Sequence, residues 1–141
     1  MSAIKKIIAI DAGLKRCGIA ETDVLQIIAS PRETIETRQI EKFLEKVLQS
    51  EPVEAVVLGY PIRSDGSINE DVEAVYQKIT RFLKEKFPAV TIHRIDERFT
   101  SKLAQRALID SGMKKKDRQK KENLDQVSAA IILQDFLEAS R

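Results

Sequence analysis

Ile7-Ile8-Ala9-Ile10-Asp11-Ala12-Gly13-Leu14-Lys15-Arg16-Cys17-Gly18-Ile19-Ala20, residues 7–20, sets one apolar run against a glycine-bearing turn and a second apolar run. Ile7 to Asp11 reads as a strand and Cys17 to Thr22 as another, and the short link between them favours an antiparallel hairpin. Asp11 is the anomaly in this stretch. It closes a core strand, where an ionised carboxylate without a counter-charge is costly, so a cation, a donor cluster or a metal is the usual compensation. An Asp after a strand is also a common turn-former, and taken alone Asp11 carries no more than that.

Moving outward, Glu21-Thr22-Asp23 supplies turn chemistry, and Leu25 to Ala29 is expected as a third strand of a meander. Ile40, Phe43, Leu44, Val47 and Leu48 form the stripe of an amphipathic helix, with Thr37 as N-cap and Glu51-Pro52 as its stop. Ala55-Val56-Val57-Leu58-Gly59 is continuously apolar and follows a helix, so it reads as a buried strand parallel to the first. Ser67 and Glu70 match a capping box ahead of the stripe Val72, Val75, Tyr76, Ile79, Phe82 and Leu83. Val90 to Ile95 gives the fifth strand. A helix capped by Thr100 or Ser101 follows, ending at Gly112, and Asn123 with Gln126 starts a last helix. The order β-β-β-α-β-α-β-α-α specifies an α/β fold: a mixed five-stranded sheet, three strands in an antiparallel meander and two parallel, flanked by helices.

The chain has 141 residues, enough for one sizeable core, so residues 1–141 are expected as a single domain. Hydrophobic residues make up 43% and charged residues 33%, which excludes extensive disorder and fits a soluble protein. The net charge of +2 leaves any nucleic-acid affinity to local clustering of Lys and Arg. Cys17 is the sole cysteine, which excludes an intrachain disulfide and a Cys-based zinc site. With no secretory h-region and no run long enough to span a bilayer, a cytoplasmic location is expected, with no membrane partner.

Strands one and four of this topology lie side by side, with their carboxyl ends opening on the crevice where α/β sheets bind ligands. Asp11 ends one of them, Asp96-Glu97-Arg98 follows the fifth strand, and Asp125 lies in the first turn of the final helix. Each has an ordinary explanation: a turn, a local ion pair, or a favourable place in the helix macrodipole. Together at the ends of regular elements they would repel one another, which points to a cage of hard oxygen ligands for Mg²⁺ or Mn²⁺.

Residues 10–20, Val-Val-Leu-Gly-Tyr-Pro (56–61) with Asp65-Gly66-Ser67, Asp-Glu-Arg-Phe-Thr-Ser (96–101) and residues 120–134 together resemble the YqgF family, also called RuvX. The resemblance runs over nearly the whole chain in the right order. It implies an RNase H-like fold and a metal-dependent endonuclease that processes the 5′ end of precursor 16S rRNA in ribosome biogenesis. It places Asp11, Glu97 and Asp125 on the family's acidic site, as catalytic residues and metal ligands, and makes Asp96 a neighbour that orients the turn. Tyr60, Cys17 and Ser101 depart from the usual residues without removing a ligand. Glu122 stands where junction resolvases of the RuvC kind carry a further Asp, and is a candidate fourth ligand.

The mechanism implied is two-metal phosphodiester hydrolysis, with Asp11 bridging two ions, Glu97 holding one and Asp125 the other. No general-base histidine is needed, and His93, inside a strand, is expected to be structural. Lys15 and Arg16 are candidate phosphate contacts, with a solvated hairpin tip as the alternative, and Arg98 either pairs with a carboxylate or steadies a phosphate. Lys114, Lys115, Lys116, Arg118, Lys120 and Lys121 form the one dense basic cluster, expected as a nucleic-acid-binding loop with salt-sensitive affinity.

The partners expected are precursor rRNA, with branched DNA as the alternative, and ribosomal precursor particles, for a chain acting as a monomer or weak homodimer. A Holliday-junction resolvase is the rival enzyme, and it requires paired nicks from a dimer. A non-catalytic RNA-binding ribosome-assembly module is the third reading. An ATPase of the actin type, suggested by Asp11-x-Gly13, fails for want of a second domain and a second phosphate loop.

Overall fold

The computed structural model describes residues 5–96 and 121–140, the side chains of 121–124 excepted. The expected helix over 100–112, the basic loop before 121, and Glu97, Arg98, Lys114, Lys115, Lys116 and Lys120 lie outside the described residues. Five strands, β1 (Lys6–Ala12), β2 (Arg16–Thr22), β3 (Ala29–Glu36), β4 (Val53–Tyr60) and β5 (Thr91–Asp96), form one sheet in the order β3-β2-β1-β4-β5. The β1–β2 and β2–β3 pairs are antiparallel, and β1–β4 and β4–β5 are parallel. This is the mixed sheet expected from the sequence.

Strand alternation sorts the side chains onto two faces. Ile8, Ile10, Cys17, Ile19, Val56 and Leu58 join Leu44 of α1 (Ile40–Ser50) and Tyr76, Ile79 and Leu83 of α2 (Glu70–Lys86) in one core. On the opposite face Ile7, Ala9, Ala20, Ala55 and Val57 meet Ala129, Ile132, Leu133 and Leu137 of α3 (Lys121–Ala139). The α3 face is built from smaller residues. That lets the helix backbone come down close to the strands, a point that governs the candidate site. Each fully buried aliphatic side chain contributes on the order of 1.5–3 kcal/mol, so truncating Ile10 or Leu58 would open a cavity in the first core.

Four local expectations are corrected. The third strand is Ala29–Glu36, not Leu25–Ala29. Before it, the Asp23 carboxylate accepts hydrogen bonds from the amides of Leu25, Ile27 and Ile28, and Gln26 takes a left-handed φ of 58°, so this apolar stretch is a clasped turn. The N-cap of α2 is Asn69, whose Oδ1 accepts from the Val72 amide at 3.3 Å, while Ser67 bonds to Asp65. Thr37 opens a short 3₁₀ turn, Thr37–Gln39, and its hydroxyl donates 2.7 Å to the Gly13 carbonyl instead of capping α1. The last helix begins at Lys121, so Asn123 lies within it.

Away from the Asp11 end of the sheet, four charges bind its other end together. Lys6 reaches Glu21 at 2.8 Å and also Glu51, while Arg32 grips Glu51 through both terminal nitrogens and Glu21 through one. The hydrogen bonds from Arg32, with Lys6 adding and burial opposing, hold the Glu51 carboxyl at about 2.

Candidate active site

Asp11 stands at the carboxyl end of β1, directly opposite Gly18 in the β1–β2 register. Its parity with Ile7 and Ala9 assigns it to the α3 face of the sheet. The hairpin that follows is pinned twice: the Gly13 amide donates 2.8 Å to the Arg16 carbonyl, and the Thr37 amide donates 2.9 Å to the Lys15 carbonyl. A rigid tip is the consequence.

Gly18 is where α3 crosses the hairpin. A Cβ there would lie 2.0 Å from the Asp125 carbonyl oxygen and 2.3 Å from its carbonyl carbon, so only glycine admits the α3 backbone at Asp125. Asp125 is thereby delivered across the strand pair that carries Asp11, from a position 114 places on in the sequence. Both carboxylates act on one reporter. Burial pushes the Cys17 thiol up, hydrogen bonds with Thr37 and Gly13 oppose this, and the charges of Asp11 and Asp125 push it further up.

Arg16 donates from Nε to Asp125 Oδ2 at 3.2 Å, and each side chain is about a third exposed, at 32% and 29%. Lys15 is exposed at the tip. With Leu14, Arg16, Glu36 and Arg38 it lines an open cleft of about 530 Å³. Arg38 is a cation near the site that the sequence did not single out. It is also paired, 2.7 Å from Glu36.

Asp96 ends β5 in register with Tyr60 at the end of β4, so the carboxyl ends of β1, β4 and β5 share one edge of the sheet. Glu97 is the next residue in the chain and lies outside the described residues. Among the described residues no three His, Cys, Asp or Glu side chains form a metal cage. His93 sits half-buried in β5 with its ring 4.6 Å from that of Phe136, in keeping with a structural role.

Two residues were missed as contributors. Tyr76, counted only as part of a core stripe, takes the Ala12 amide at 2.8 Å on its hydroxyl and donates to the Ile10 carbonyl at 3.4 Å. Its signal was a phenol in an aliphatic stripe, since a buried tyrosine hydroxyl requires a partner. The steric role of Gly18 has no signal in the sequence, since no local pattern announces a helix arriving from residue 125.

A central strand ending in a carboxylate, an antiparallel meander on one side and parallel strands on the other define the RNase H-like fold. The fold agrees with RuvC of T. thermophilus, solved in complex with a Holliday junction substrate: TM-score 0.58, 18% identity, 96% of each chain covered. Residues 5–139 match the family model RuvX, described as Holliday junction resolvase, and the chain belongs to that family. Among its relatives, proteins named "Putative pre-16S rRNA nuclease" from Phocaeicola vulgatus and Flavobacterium psychrophilum are 43% and 46% identical. The first match covers 98% of this chain and 99% of the relative, and the second 94% and 96%.

Proposed function

We propose that this chain is a divalent-metal-dependent endonuclease that processes the 5′ end of precursor 16S rRNA, with Asp11, Glu97 and Asp125 as its catalytic acids. The observation that carries this is the crossing at Gly18, which brings the Asp125 turn against the strand pair bearing Asp11. Hard oxygen donors fit Mg²⁺ or Mn²⁺, and Cys17, the sole cysteine, is fully buried in the other core. Bound there, divalent cations supply an activated water and charge neutralisation on the departing oxygen.

Asp11, Glu97 and Asp125 would hold the divalent cations, and Glu122 is left as a peripheral candidate. His93 and Ile95 lie on the α3 face of β5. Lys15 and Arg16, with Arg98, Lys114, Lys115, Lys116, Lys120 and Lys121, contribute positive charge toward the phosphate backbone. Residues 1–141 act as one nuclease domain on precursor particles in the cytoplasm. Among the described residues no helix is long and apolar enough to cross a membrane.

The test is incubation of purified protein with precursor rRNA, single-stranded RNA and a four-way DNA junction, in Mg²⁺, Mn²⁺ or EDTA, beside Asp11→Asn. Metal-dependent cleavage of precursor rRNA, lost by at least about a hundredfold in the variant, is the expected result. Equal cleavage by Asp11→Asn defeats the assignment. Paired nicks in the junction with precursor rRNA untouched would favour the resolvase, the activity named by the family model's description.

A further inference from the structure

We infer that Tyr76, from the helix layer opposite α3, is a positioning residue for Asp11: its hydroxyl bridges the two peptide groups that flank the carboxylate. The inference rests on Asp11 being a metal ligand and adds a residue to that site.

The pairing of β1 with β4 ends at Ile10 and Leu58, yet β1 runs on to Ala12. Beyond that last pair the strand has β2 on one flank, where Asp11 faces Gly18. On the other flank the Tyr76 hydroxyl stands in for the next rung, accepting from the Ala12 amide at 2.8 Å and donating to the Ile10 carbonyl at 3.4 Å. Backbone groups two residues apart on a strand point the same way, so one hydroxyl can serve both. The result is a strand end held on both flanks beyond its last pair with β4.

The phenol is itself held. Tyr76 is fully buried, and the Arg94 guanidinium lies 5.0 Å from its ring centroid and 4.9 Å from that of Tyr60. Arg94 donates to the Gly59 carbonyl at 2.9 Å and to both oxygens of Glu73, which lies one turn before Tyr76 on α2. The ends of β1, β4 and β5 are thus tied to α2 through one side-chain cluster, and misplacing a reacting group by 1 Å is enough to lower a rate on the order of 100-fold.

Tyr76→Phe keeps the ring and removes the bridge. The test is Mn²⁺ binding by calorimetry to wild type, Tyr76→Phe, Asp11→Asn and Ile79→Val, the last a change in the same core and helix that does not touch the bridge. Tyr76→Phe is expected to raise the Mn²⁺ dissociation constant about tenfold, the usual scale for a residue that orients a ligand, with Ile79→Val at the wild-type value. In cleavage the metal concentration for half-maximal rate rises more than kcat falls.

Wild-type affinity in Tyr76→Phe, or an equal loss in Ile79→Val, overturns the inference while leaving Asp11 as ligand. Unchanged binding by Asp11→Asn removes the site and the inference together. As a second measurement, 3-fluorotyrosine labels only Tyr60 and Tyr76, the two tyrosines of the chain. The Tyr76 fluorine resonance, assigned with Tyr60→Phe, should move on Mg²⁺ addition, and a stationary resonance counts against the inference even if Tyr76→Phe fails to fold.

Discussion

Gly18→Ala is a one-methyl perturbation with a calculable effect. The new Cβ would start 2.0 Å from the Asp125 carbonyl oxygen, 2.3 Å from its carbon and 2.9 Å from the Gln126 amide nitrogen, whereas ordinary contact begins at 3.4 Å. Every one of these atoms is backbone, so no side chain can swing away. The α3 backbone at Asp125 must retreat by about 1.4 Å from the strand it crosses, the gap between 2.0 and 3.4 Å. Forced overpacking of this kind costs about 1–3 kcal/mol, a fall in Tm on the order of 3–10 °C for a domain of this size. The retreat also carries Asp125 away from Asp11, and a shift beyond 1 Å lowers cleavage by about 100-fold. Thermal unfolding followed by circular dichroism, beside the cleavage assay in Mn²⁺, reads both effects. A variant with unchanged Tm and activity within twofold of wild type would falsify the close crossing and the site built on it.

Arg16→Gln removes the guanidinium from Asp125. Because both side chains are about a third exposed, stability should change by less than about 1 kcal/mol. Mn²⁺ should bind at least as tightly once the competing cation is gone, while RNA binding weakens and its salt slope falls by about one. Calorimetry and a salt series check this, and weaker Mn²⁺ binding would contradict it. Glu51→Gln addresses the ion-pair network at the other end of the sheet. Glu51 is held at about 2, below the usual 4.5, so its contribution is complete above about pH 4.5 and is lost as pH falls from there toward 2. Urea unfolding should show the variant about 1 kcal/mol less stable at pH 7, with the difference closing by pH 2–3. A gap that persists in acid would refute it.

The hairpin, the buried β4 and the stripes of α1 and α2 were legible because each is a local pattern with one face or both buried. β3 was not. Its residues, Ala-Ser-Pro-Arg-Glu-Thr-Ile-Glu, belong to an edge strand with much of its surface exposed, and Pro31 sits beside a register shift where a missing amide is tolerated. Of the more strand-like Leu25–Ala29, the amides of Leu25, Ile27 and Ile28 are taken by a single side chain, Asp23, a capture that hydrophobic periodicity does not record. Within the site, Asp11 was legible as a charge in an apolar run. The roles of Gly18 and Tyr76 were not, because each is defined by contact with a segment 64 or more residues distant.

Cys17 neighbours Gly18 in sequence but faces the opposite way, into the core under α1 and α2, and has no exposed surface. The protein's single thiol is therefore walled off from the carboxylates by the thickness of one strand. This bears on experiments with thiophilic ions. If sulfur replaces a non-bridging oxygen of the phosphate to be cut, Cd²⁺ finds its soft partner in the RNA and no competing thiolate beside Asp11. Cleavage restored by Cd²⁺ on such a substrate would report contact between metal and the cut phosphate, free of a protein sulfur's contribution.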